Sequence, residues 1–155
     1  MTNIFAKLLI GATITVLGAF GGDNSLGSWK LNLEKSTYSP GPATVKNLTT
    51  TREAAEDGVK VSNTGEMANG NPINSSYTAK YDGKDYPVTG APWDTVAIKQ
   101  VDANTFTSTA KMTSGKYSST SRTVVSEDGN TTTVTSKGTN AEGVEFNNTL
   151  VYTKK

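Results

Sequence analysis

"LGSWKLNLEKSTYSPGPA", residues 26 to 43, is the stretch on which the reading of the fold turns. Gly27 and Ser28 stand directly ahead of Trp29, and from there apolar and polar side chains alternate: Trp29, Leu31 and Leu33 against Lys30, Asn32 and Glu34. A period of two is the mark of a strand with one buried face. Pro40 and Pro42 then end the run, since a proline cannot donate to a strand ladder.

The same alternation returns downstream. Val96 and Ile98 face away from Ala97 and Lys99, and Val144, Phe146, Leu150 and Tyr152 face away from Glu145, Asn147, Thr149 and Thr153. Turn signals punctuate these runs at Asp57-Gly58, Asn69-Gly70, Asp82-Gly83, Ser114-Gly115, Asp128-Gly129 and Gly143, with Asp102-Ala103-Asn104 filling the one long gap. Asp-Gly and Asn-Gly supply the positive φ of tight hairpins, and most successive signals stand roughly 12–15 residues apart. The only helical candidate, "TREAAEDG" (51 to 58), ends at Gly58 after about two turns. The chain therefore reads as all-β, an antiparallel up-and-down meander of roughly nine or ten strands. A long meander has exposed edges unless it closes, so a barrel is expected, with a β-sandwich as the alternative. A faint internal repeat lays residues 56–74 on 127–147 and matches Val61 to Val134, Gly65 to Gly138 and Gly70 to Gly143, as two similar hairpins would.

Composition narrows the function by exclusion. The 155 residues suffice for one domain with its own core. A formal charge of +1, with 19% charged residues, gives no electrostatic footprint for nucleic acid or an anionic membrane. Apolar residues make up only 34%, and abundant Thr and Ser suit a solvated strand face. Without His or Cys the chain has no disulfide, Ser-His-Asp triad, Cys-His pair or His/Cys zinc site. The acidic turns at Glu56-Asp57 and Glu127-Asp128 lack the register of a calcium loop and read as ordinary turns, so neither a metal nor a cofactor is expected.

Residues 1 to 21 carry one Lys, then an apolar run from Leu8 to Phe20, then small residues. That run has the length of a secretory h-region and is too short to span a bilayer. The expectation is a signal peptide over 1–21, cleaved before Gly22, and a single β-barrel domain over 22–155, secreted or periplasmic, with no stable membrane span after cleavage. A retained N-terminal anchor and an internal helix are the alternatives for this segment.

The Gly27-Ser28-Trp29 start resembles the G-x-W opening of the calycin superfamily, the lipocalins and fatty-acid-binding proteins, and "NNTLVYTK" (147 to 154) resembles the last strand of the intracellular lipid binders. The wider run from Gly27, with "YTAKYDGKDYPVTG" (77 to 90), also resembles a group of uncharacterised secreted bacterial proteins of lipocalin-like character. The resemblance implies a barrel whose floor is plugged by Trp29, with an Arg packed across it; Arg122, as the later of the two arginines, is the expected partner and Arg52 the second choice. It also implies that the carboxylate-binding Arg-x-Tyr of the last strand is incomplete here, where the chain reads Leu150-Val151-Tyr152.

If the strand phase holds, the inward faces mix aromatic with small side chains, which cannot fill a barrel of this width. The candidate cavity lining is Tyr77, Tyr81, Phe106, Ser108, Met112, Tyr117, Ser119, Phe146 and Tyr152. The function expected is a non-enzymatic binding protein carrying a small apolar or amphiphilic molecule inside the barrel. Binding of a macromolecular partner through the surface or loops is the alternative. With no arginine on the last strand, neutral amphiphiles are expected to bind at least as well as acids.

Overall fold

The computed structural model describes residues 22–155; the expected signal segment, 1–21, lies outside the described residues. Ten strands follow one another in chain order: β1 (Gly27–Thr37), β2 (Val45–Ala55), β3 (Gly58–Met67), β4 (Pro72–Lys80), β5 (Tyr86–Thr89), β6 (Thr95–Asp102), β7 (Thr105–Lys111), β8 (Ser118–Val125), β9 (Thr131–Thr139) and β10 (Glu145–Lys154). Each strand pairs antiparallel with its neighbours in sequence, and β1 also pairs with β10, so the meander closes into a barrel. Closure removes both free edges and excludes the sandwich. "TREAA" is the second half of β2 and not a helix: its backbone groups pair with β3, Arg52 opposite Val61 and Ala54 opposite Val59.

Two glycines show how the strands bend to close. A Cβ on Gly65 would stand 2.2 Å from the Asn47 carbonyl oxygen, and one on Gly138 would stand 2.0 Å from that of Ser118. Only glycine lets the adjacent strand come so near. These two positions match in the internal repeat, as do Gly70 and Gly143, which share a φ of +88° in their hairpin turns.

On β1 the alternation fails after Leu31. Pairing with β10 shifts register between Asn32 and Thr37, and Leu33, expected to face inward, is 38% exposed. The Ser36 hydroxyl fills the broken ladder, donating to the Asn32 carbonyl (2.6 Å) and accepting from the Val151 N–H (2.9 Å).

Two apolar clusters hold the barrel. One joins β3 to β6 through Val59, Val61, Ala79, Val88, Val96 and Ile98. The other joins β1, β8 and β10 through Trp29, Leu31, Val125 and Tyr152. Trp29 is 2% exposed and donates its indole N–H to the Ser25 carbonyl at 2.8 Å. Its ring faces the Lys154 ammonium, 5.2 Å from the ring centroid. Here the structure corrects the expected floor pair. Arg122 is exposed on β8, since Ser121 and Thr123 take the inward phase on either side of it. The cation on Trp29 is a lysine of the last strand, placed directly across the β1–β10 pairing.

Candidate ligand-binding site

Odd-numbered strands from β1 to β9 leave one end of the barrel and even-numbered strands return to it, so all the connections fall at two ends. At one end residues 22–26 cross the opening. Asn24 bonds through its N–H to the Ala103 carbonyl at 2.9 Å and through its amide to Asn104, and Gln100 donates to the Gly22 carbonyl at 3.0 Å. Asp23 accepts from the Ser25 N–H (2.8 Å), the Ser25 hydroxyl and the Tyr81 hydroxyl. This segment and Trp29 make a closed floor. At the other end Pro40, Pro42, Ala91, Trp93 and Val144 surround the mouth. Trp93 stacks on Tyr117 with ring centroids 5.0 Å apart, and Tyr117 meets Phe146 at 6.2 Å, an aromatic lip on one side of the opening.

Between floor and mouth lies a cavity of about 730 Å³, within the ~300–1,000 Å³ usual for small-molecule sites. Its wall contains seven of the nine lining residues expected from the sequence: Tyr77, Phe106, Ser108, Tyr117, Ser119, Phe146 and Tyr152. The other two lie elsewhere. Tyr81, just past the end of β4, packs against Phe106 at 5.4 Å within the closed end and turns its hydroxyl to Asp23. Met112 belongs to the β7–β8 turn, where its N–H bonds the Tyr117 carbonyl at 3.0 Å and carries it out of the strand phase.

The wall is mixed in character. Leu48, Val61, Ile73, Val96, Ile98, Val134 and Leu150 give apolar surface. Thr50, Asn63 and Ser75 form a hydrogen-bonded row across β2, β3 and β4, Thr50 to Asn63 at 2.7 Å and Asn63 to Ser75 at 3.1 Å. The Tyr38 hydroxyl and the Thr132 hydroxyl are buried in this wall with no hydrogen-bond partner. Burial pushes the Tyr38, Tyr77, Tyr117 and Tyr152 phenols up from their ordinary range, so at neutral pH all four are neutral donors. Tyr81 is raised as well, by burial first and by its bond to Asp23 second.

The residue that sequence reasoning ranked second proves to be the internal cation. Arg52 lines the lower cavity, donates from Nε to the Ser25 hydroxyl at 2.9 Å and lies 5.5 Å from the Phe106 ring centroid. It works against the desolvation of the Tyr77 phenol. Its orientation follows from register: Trp29 faces inward, Thr50 stands opposite Trp29, and Arg52 is two residues on from Thr50 and so on the same face. The expectation that neutral ligands would bind at least as well as acids rested on the missing arginine of the last strand; Arg52, on β2, places a cation on the cavity wall from another strand.

Among solved structures, a zebrafish ileal bile acid-binding protein complexed with cholic acid is similar over 86% of this chain and 100% of that chain, at 11% identity and a TM-score of 0.49. A siderocalin, Ex-FABP, described as functioning through dual ligand specificities, is similar over 86% of this chain and 71% of that chain, at 10% identity and a TM-score of 0.41. No protein-family model matches the chain, and no curated protein matches its sequence. The site is accordingly read from its own geometry.

Proposed function

We propose that this barrel is a non-enzymatic carrier that holds one small amphipathic molecule in its interior, in a secreted or periplasmic setting. The observation that carries the reading is the cavity itself, closed at the floor by residues 22–26 and Trp29, open between the mouth loops, and walled by both apolar and hydroxyl-bearing side chains. Solvent filling an open cavity of this size lies against apolar wall that a bound molecule would remove from water, which is favourable. Apolar burial supplies the affinity, at about 25 cal/mol per Å². The Leu8–Phe20 run, of h-region length, supports export.

The test is to purify the protein under native conditions and weigh it intact, then to titrate it with an environment-sensitive dye. A small molecule retained at one per chain, or dye bound with the same stoichiometry and displaced by an amphiphile, is the expected result. A bare mass together with no dye binding would overturn the carrier reading in favour of a domain that binds a macromolecular partner through its surface or loops.

A further inference from the structure

Resting on the carrier reading, we infer that Asp23 sets the ligand class: joined to Arg52 through the Ser25 and Tyr81 hydroxyls, it is the counter-ion of that guanidinium within the fold, and the cavity therefore selects neutral amphiphiles over acids.

The link between the two charges has two arms. Arg52 donates from Nε to the Ser25 hydroxyl at 2.9 Å, and Ser25 donates in turn to Asp23 Oδ1. Arg52 also meets the Tyr81 hydroxyl, which donates to Asp23 Oδ2. The Ser25 N–H holds Oδ1 as well, at 2.8 Å, and Ser25 is fully buried. Among the described residues no carboxylate lies within 4.0 Å of Arg52, so the charges are joined by hydroxyls and not by a direct salt bridge. A cation taken out of water needs a partner and filled hydrogen bonds, and this network supplies both from the strap of residues 22–26 that closes the floor.

An acid entering the cavity meets this arrangement at a disadvantage. Its carboxylate gives up water, finds Arg52 already compensated, and stands beside Asp23 as a second negative charge on one cation. A neutral hydroxyl or carbonyl loses less water, and it can still accept from the guanidinium N–H groups that Ser25 and Tyr81 leave over. The rest of the wall offers no other cation among the described residues. Its one further charged side chain is Glu145, an acid exposed at the mouth.

What the wall does offer is neutral hydrogen bonding. Ser108 stands opposite Ser121 on β8, and Ser121 opposite Ser136 on β9, so three hydroxyls lie side by side in a row. None of the three is bonded to another protein group among the described residues, unlike the matched row of Thr50, Asn63 and Ser75 across the barrel. Ser108 is two residues along β7 from Phe106, over which Arg52 lies, and that places the row about 7 Å above the guanidinium.

The experiment is competition for a bound environment-sensitive dye by dodecanol and by dodecanoate near neutral pH, in the wild type, in Asp23→Asn and in the double variant Asp23→Asn, Arg52→Gln. In the wild type the alcohol is expected to bind at least as tightly as the acid. Asp23→Asn removes the internal negative charge and keeps an oxygen for the Ser25 donors, so Arg52 is freed to hold a carboxylate. The acid is then expected to gain about ten- to a hundredfold relative to the alcohol, the range of a charge-assisted hydrogen bond, and the double variant is expected to lose that gain. A wild type that binds the acid more tightly than the alcohol, an unchanged preference in Asp23→Asn, or a gain that survives the loss of Arg52 would overturn the inference while leaving a carrier standing. Displacement of the dye by neither compound would bring down the carrier reading, and the inference with it. Should Asp23→Asn fail to fold, Tyr81→Phe opens one arm of the link and is expected to favour the acid by about two- to tenfold relative to the wild type; no such gain would contradict the role of Asp23.

Discussion

Trp29 shows how much one residue can reveal. Its place in a G-x-W start, at the head of an alternating run, resembles that of a barrel-floor tryptophan, and in the barrel it is 2% exposed, bonded through its indole N–H and packed on Leu31, Val125 and Tyr152. Trp29→Ala is therefore expected to cost about 3–5 kcal/mol, read as a fall in the denaturant midpoint; a midpoint near that of the wild type would contradict its role. The cations around it are harder to read. A resemblance points to an arginine, and the chain has two, but pairing register decides which side chain crosses the floor. Lys154 meets Trp29 because the two are opposed on β10 and β1. Arg52 turns inward because Thr50 is opposed to Trp29, while Arg122 turns outward between two inward residues. "LTTTREAA" has no apolar alternation to set its phase, so only the partner strand could fix it.

At the scale of elements the strands are legible wherever a turn signal bounds an alternating run, and errors collect where one period breaks. The register shift on β1 exposes Leu33, the turn after β7 removes Met112, and the end of β4 at Lys80 sends Tyr81 into the closed end instead of the cavity wall. Bulges and strand ends are set by local hydrogen bonding, such as that of Ser36, and leave no mark in hydrophobic pattern. The weakest element is β5. It has four residues and is joined to β4 by only the pairs Ser76–Thr89 and Tyr77–Val88, and to β6 by Tyr86–Val96 and Pro87–Thr95. Proline at position 87 removes a donor from a ladder already short. By contrast β9 and β10 share nine opposed pairs. Local opening is therefore expected first along the β4–β5–β6 seam, with β5 amides exchanging with solvent well ahead of those in β9 and β10. Equal protection of Val88 and Val134 in a hydrogen-exchange experiment would contradict this.

For the whole molecule the central claim is that the barrel is hollow for a purpose. Closure is implied by the length of the meander, and a hollow interior by the many small inward side chains; what the sequence does not express is depth. That the serines of β7, β8 and β9 form one row, that Arg52 lies below it, and that residues 22–26 seal the floor are facts of register and of chain crossing. They turn a generic cavity into one with a charged lower end, a hydroxyl-bearing wall and an aromatic lip. The measurement that tests this most directly is solution NMR of the isotope-labelled protein saturated with an amphiphile, reading Overhauser contacts between ligand and protein. The account predicts contacts to inward side chains from floor to mouth, among them Phe106, Ser121 and Leu150; contacts confined to outward residues such as Thr120, Arg122 and Thr135 would contradict it.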